Sequence, residues 1–105
     1  MALVTRKHRV QTGVDVTREH VADICARNDV AYLGLFGSVA RGEATNRSDV
    51  DLLVRFGKPK SLLDLVRIER EFSKRLGRRV DLVTEEAISP YLRDRVQREV
   101  VMVYE

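Results

Sequence analysis

Residues 30–56 read VAYLGLFGSVARGEATNRSDVDLLVRF, and the alternation of textures along them decides the fold. Val30 to Phe36 is a near-continuous apolar run, too short for a helix of its own and bounded by Asn28-Asp29 and Gly37, which predicts a buried strand. A polar stretch rich in Gly, Thr, Asn and Ser follows. Asp49 to Phe56 (DVDLLVRF) then reads as a second strand, stopped by Gly57, Lys58, Pro59 and Lys60.

Outward from this centre, the flanks are helical. On the N-terminal side Val21, Ile24 and Cys25 recur at helical spacing from about Asp15 to Asn28, with Asp15 or Thr17 as the cap, behind a lead-in over residues 1–13. On the C-terminal side Ser61 caps the longest amphipathic pattern, Leu62 to Leu76, closed by Gly77. Val80 to Thr84 is a third strand, Ser89-Pro90 opens a last helix, and Val100 to Tyr104 closes the chain as a strand. This order predicts an α+β fold, an α/β sandwich on a small mixed sheet. The connection between the second and third strands, about 20 residues with one helix, is a crossover, so those strands should lie parallel and adjacent.

The 105 residues leave room for a single domain. A content of 44% hydrophobic and 33% charged residues excludes disordered and collagen-like chains. Charges interrupt every apolar run, so no membrane span is expected, and the N-terminus has no secretory h-region; the expected location is cytoplasmic. One cysteine, Cys25, agrees with a reducing compartment and reads as a small core residue rather than a nucleophile. A formal charge of +3 suits nucleic acid, a nucleotide or an acidic protein face without choosing among them.

Aspartate is depleted in strands, yet Asp49, Asp51 and Asp81 sit in two of them among apolar neighbours. Alternation puts Asp49 and Asp51 on one face and Val50, Leu52 and Val54 on the other. With the third strand alongside, Asp81 joins the pair. Carboxylates so placed repel by ~4 kcal/mol per pair at a separation of roughly 4 Å and an effective dielectric near 20. A hard divalent cation with oxygen ligands, Mg²⁺, is the natural remedy, and such ions are commonly shared with substrate phosphates. Immediately upstream, Gly37-Ser38-Val39-Ala40-Arg41-Gly42 follows a strand and opens a helical turn. Gly37 permits close backbone approach, Ser38 offers a hydroxyl, and Arg41 offers a guanidinium fork. Neither the Walker loop nor the dinucleotide fingerprint is present.

Together, Gly37-Ser38-Val39-Ala40-Arg41-Gly42-Glu43-Ala44, Ser48-Asp49-Val50-Asp51-Leu52-Leu53-Val54 and Val80-Asp81-Leu82-Val83 resemble the minimal nucleotidyltransferases of the DNA polymerase beta superfamily. The resemblance implies the polymerase-beta-type nucleotidyltransferase fold and transfer of a nucleoside monophosphate, usually from ATP, with pyrophosphate released. It implies that Asp49 and Asp51 hold two Mg²⁺ ions, that Asp81 ligates the catalytic one and assists deprotonation of the acceptor, and that Gly37 and Ser38 grip the β and γ phosphates. Arg41 matches the same pattern, either on phosphate or as a brace of the loop. Ser48 reads as a turn residue, with Gly42, Thr45 and Asn46 shaping the loop.

A chain of this length cannot hold an elaborate acceptor, which must come from a partner. Small proteins of this type resemble the antitoxins of HEPN/MNT toxin–antitoxin pairs, which implies adenylylation of a tyrosine on a cognate HEPN ribonuclease toxin. The alternatives are an antitoxin that masks its toxin without catalysis, or transfer to an RNA or small-molecule acceptor. Direct nucleic-acid binding is disfavoured, because Tyr32 and Phe36 lie in a buried strand and leave little to stack bases. The helix from Ser61 to Gly77 and the last helix, with Arg93, Arg95 and Arg98, are candidate docking faces, each also readable as a core face backed by a solvated one.

Overall fold

The computed structural model describes residues 14–45 and 47–105. The lead-in expected over residues 1–13 lies outside the described residues. The elements are α1 (Arg18–Arg27), β1 (Val30–Phe36), α2 (Gly37–Arg41), β2 (Val50–Phe56), α3 (Leu62–Leu76), β3 (Val80–Thr84), a 3₁₀ turn (Glu85–Ala87), α4 (Pro90–Glu99) and β4 (Val101–Tyr104). Two boundaries shift from the sequence reading. The first helix begins at Arg18 with Thr17 in the cap position, its side chain making no cap bond. The second strand begins at Val50, because Asp49 belongs to the incoming loop.

The four strands are ordered β3-β2-β1-β4. β1 is antiparallel to both β2 and β4, and β2 is parallel to β3, as the crossover length predicts. On one face Leu33, Leu35, Val50, Leu52 and Val54 are fully buried, and they meet Ile24 and Cys25 of α1 with Ile68 and Phe72 of α3. That face is the main core. On the opposite face Leu53 lies beside Ile88 and Val96, with which it lines a small cavity of about 290 Å³. α4 therefore covers only part of the second face, and the end of β2 that bears Asp51 remains accessible.

α3 forms as its sequence demands. Asp64 N–H donates to Ser61 Oγ at 3.1 Å while Ser61 N–H donates to Asp64 Oδ2 at 3.0 Å, a reciprocal capping box. Gly77 ends the helix in the left-handed region at φ +68°. The helix is pinned to α1 by charge: Arg75 grips both oxygens of Asp23 at 2.7 and 3.0 Å, and Arg27 donates to Glu71 at 2.6 Å. Buried Asn28 accepts from Arg67 at 3.0 Å and donates to Glu71 at 3.1 Å. No helix among the described residues is long and apolar enough to cross a membrane.

Candidate active site

The site is assembled where β1 ends and β2 and β3 begin. Ladder pairing sets Phe36 across from Asp51, and Asp51 across from Asp81. Gly37, directly after Phe36, has φ +76°, and a Cβ there would collide with the Asp51 carboxylate. A side chain here is disfavoured twice, by the left-handed backbone and by the carboxylate packed against it. The loop glycine and the central aspartate thus form one unit.

α2 is a single short helix anchored by buried Val39. Its end is closed by Glu43 N–H donating to Ser38 C=O at 2.9 Å and by Gly42, at φ +74°, donating to Val39 C=O at 3.2 Å. The Ser38 hydroxyl has no hydrogen-bond partner among the described residues, which leaves it free for a ligand. Arg41 is occupied. Its Nε donates to Glu43 and its Nη1 to Glu99, each at 3.0 Å, and Glu99 is also held by Arg95. Arg41 therefore ties the loop to the end of α4, with the Nη2 donors of its guanidinium left uncommitted among the described residues.

Asp49 is placed by its neighbours on both sides. Ser48 N–H donates to Thr45 C=O at 3.1 Å and Ser48 Oγ accepts from Thr45 N–H at 2.9 Å, closing the turn. Arg78 clamps that turn from the far side, with Nη2 donating to the carbonyls of Thr45 and Ser48 at 2.7 and 2.6 Å. On the other side Val50 N–H donates to Arg79 C=O at 2.9 Å.

Asp81 sits on the edge strand, whose outer N–H groups would otherwise face solvent. α3 supplies their partners: Glu69 Oε2 accepts from Leu82 N–H at 2.9 Å and Ser73 Oγ accepts from Val80 N–H at 3.1 Å. These are successive outward-facing amides of β3, met by two side chains one helical turn apart. Sequence reading missed Arg78, Glu69 and Ser73. The one local signal was a pair of arginines leading into the third strand; the helix residues carry no local signal at all.

The electrostatics of the cluster are those of an acid-rich site. The carboxyl of Asp51 is pushed above the ordinary aspartate range, first by burial, then by the charges of Asp81 and Asp49, with Arg41 a partial offset. Among the described residues no three His, Cys, Asp or Glu side chains are gathered closely enough to hold an ion between them. The donor set consists of carboxylate oxygens alone, and the repulsion centred on Asp51 calls for positive charge. The residues fit a hard divalent cation such as Mg²⁺.

Comparisons with known proteins agree on what this arrangement is. The profile of the nucleotidyltransferase domain family matches residues 18–103, from α1 to β4. The chain is 42% identical over 84 residues to the protein adenylyltransferase MntA of Thermococcus cleftensis, covering 80% of this chain and 85% of that protein. It is similar to the solved structure of a putative minimal nucleotidyltransferase, with 46% identity, TM-score 0.70, and coverage of 80% of this chain and 86% of the other. The fold alone is shared with a toxin–antitoxin crystal structure containing AMP-PNP, with TM-score 0.72, 20% identity, and coverage of 83% and 72%. With its family profile matched from α1 to β4 and relatives above 40% identity covered over most of their length, the chain belongs to the nucleotidyltransferase domain family.

Proposed function

We propose that the protein transfers AMP from ATP to a hydroxyl of a partner protein, a tyrosine of a cognate HEPN-type toxin, and acts as its antitoxin. The carrying observation is the continuous line from Gly37 through Asp51 to Asp81, which sets a close-approach glycine beside a pair of strand aspartates. The relative named a protein adenylyltransferase and the fold shared with a toxin–antitoxin structure containing AMP-PNP support the substrate and the partner.

In this reading Gly37 and Ser38 hold the outer phosphates of ATP through the close backbone and the unpartnered hydroxyl. Asp49, Asp51 and Asp81 would hold two Mg²⁺ ions, which would supply charge stabilisation to the transferring phosphoryl group. Asp81, on the edge strand, takes the proton of the acceptor. The acceptor oxygen forms a bond to the α phosphorus, the bond from that phosphorus to the bridging oxygen breaks, and pyrophosphate departs. Arg78 and Arg41 keep the two loops in place, and Arg41 retains Nη2 donors for phosphate.

The test is incubation with labelled ATP, Mg²⁺ and the product of the adjacent gene. Label should pass to that product, and Asp49→Asn or Asp81→Asn should stop it. A folded, complexed pair that takes no label would refute transfer, and full rescue of growth by Asp49→Asn would establish inhibition by masking instead.

A further inference from the structure

The solvent face of α3 carries exposed aliphatic side chains beside cations that no acid of the helix neutralises. The acids of this helix are all consumed elsewhere: Asp64 in the capping box, Glu69 on the β3 backbone, and Glu71 with Arg27, Arg67 and Asn28 toward α1. Of its cations, Arg67 and Arg75 are paired with acids. Arg70 and Lys74, one turn apart and exposed, have no ion pair among the described residues. Beside them Leu63 is 80% and Val66 40% exposed, on the first turns of the same face.

This surface leads to the site. Leu63, Val66, Arg70 and Lys74 line a shallow trough that ends at Gly77, Arg78 and Arg79, and those three residues also line the adjoining hollow that contains Ser48 and Asp49. Sheet order gives the trough a direction. The loop of Gly37 and Ser38 follows β1, on one side of Asp51, whereas β3, backed by α3, forms the edge on the other. With nucleotide phosphates on the β1 side, an acceptor has the β3 side by which to enter.

We propose that the outer face of α3 is the landing surface for an acidic polypeptide segment of the acceptor, held by Arg70 and Lys74 and seated on Leu63 and Val66. The inference rests on the transfer reading above and names the side from which its acceptor arrives. Unpaired cations beside exposed aliphatic side chains match a peptide of carboxylates and apolar groups. They match a nucleic acid poorly, since no aromatic ring lines the trough to stack a base.

The probe is a fluorescent random copolymer of glutamate and tyrosine, followed by anisotropy, with an oligoadenylate RNA of equal charge as comparator. The copolymer should bind wild type more tightly than the RNA does, and more weakly as salt rises. The double variant Arg70→Glu/Lys74→Glu should weaken copolymer binding at least tenfold, and Arg93→Glu/Arg98→Glu on α4 should leave it within twofold. Equal copolymer affinity for wild type and the α3 variant overturns the proposal, as does a comparable loss from the α4 variant. RNA binding as tight as the copolymer's overturns it in favour of a general polyanion surface. Failure of labelling in the cognate pair would refute transfer and leave the docking surface standing, since copolymer binding does not depend on it.

Discussion

The carboxylate of Asp51 fills the space that a β carbon would need at Gly37, so the phosphate-type loop and the central aspartate are sterically one object. Gly37→Ala must either displace the Asp51 side chain or shift the backbone of α2. With the left-handed backbone added, the expected loss of stability is about 1–2 kcal/mol. AMP transfer should fall further than that destabilisation explains, by at least about tenfold, the equivalent of roughly 1.4 kcal/mol in the barrier. Thermal melting and transfer rate on one preparation separate the two effects.

Asp51 makes metal-free stability depend on pH in an unusual direction. Its carboxyl is raised in the folded state by burial and by Asp81 and Asp49, so the native protein binds that proton more readily than the unfolded chain. Ionisation of Asp51 therefore costs stability at neutral pH, and the cost disappears as pH falls through the raised native value toward the ordinary carboxylate range. Without metal, Asp51→Asn should melt higher than wild type at pH 7, and the gap should close on acidification. Added Mg²⁺ should raise the melting temperature of wild type and leave the variant unmoved. A variant that melts lower at pH 7 would contradict this account.

Asp23 has the opposite sign. The paired guanidinium of Arg75, with Arg27 in support, holds its carboxyl well below the usual carboxylate range against the pull of desolvation. Its stabilisation is complete above the unfolded value and is lost as pH falls below that range through the lower native one. Asp23→Asn should lower the melting temperature at pH 7, with a penalty that persists to about pH 4 and shrinks only in stronger acid. Since the pair is exposed, added salt should shrink the penalty too.

Glu69 holds an edge strand rather than another side chain. Glu69→Ala leaves Leu82 N–H without its acceptor and should cost about 1.5–3 kcal/mol, the range for a hydrogen bond to a charged group. Glu69→Gln retains an acceptor oxygen and should recover most of it. Amide exchange at Leu82 should accelerate in the alanine variant and stay slow in the glutamine one. Unchanged exchange in both would show that β3 does not depend on α3 for its outer edge.

The elements were legible because their signals are local. A seven-residue apolar run bounded by Asp29 and Gly37, a Ser61 cap with Asp64 behind it, and a Gly77 stop each act within one turn or strand of themselves. The parallel neighbours β2 and β3 were legible for a related reason, since a crossover of that length has few alternatives. What supports the site was not legible. Arg41 meets Glu99 across 58 positions, Arg78 reaches back 33 and 30 to the carbonyls of Thr45 and Ser48, and Glu69 meets Leu82 across 13. Arginines and glutamates are the residues a solvated helix face would carry in any case, so composition could not single them out.

By itself the sequence singled out the candidate site: a Gly-Ser turn after a buried strand and aspartates placed where strands disfavour them. Only the tertiary structure decided how they act on one another. Ladder register put Asp51 opposite Asp81 and against Gly37, and sheet order left the β3 edge as the side facing α3. The division has a physical cause: strand, turn and cap preferences act over a few bonds, whereas the burial and then the repulsion that raise the carboxyl of Asp51 exist only after folding brings a partly dry interior and three separate charges to one place.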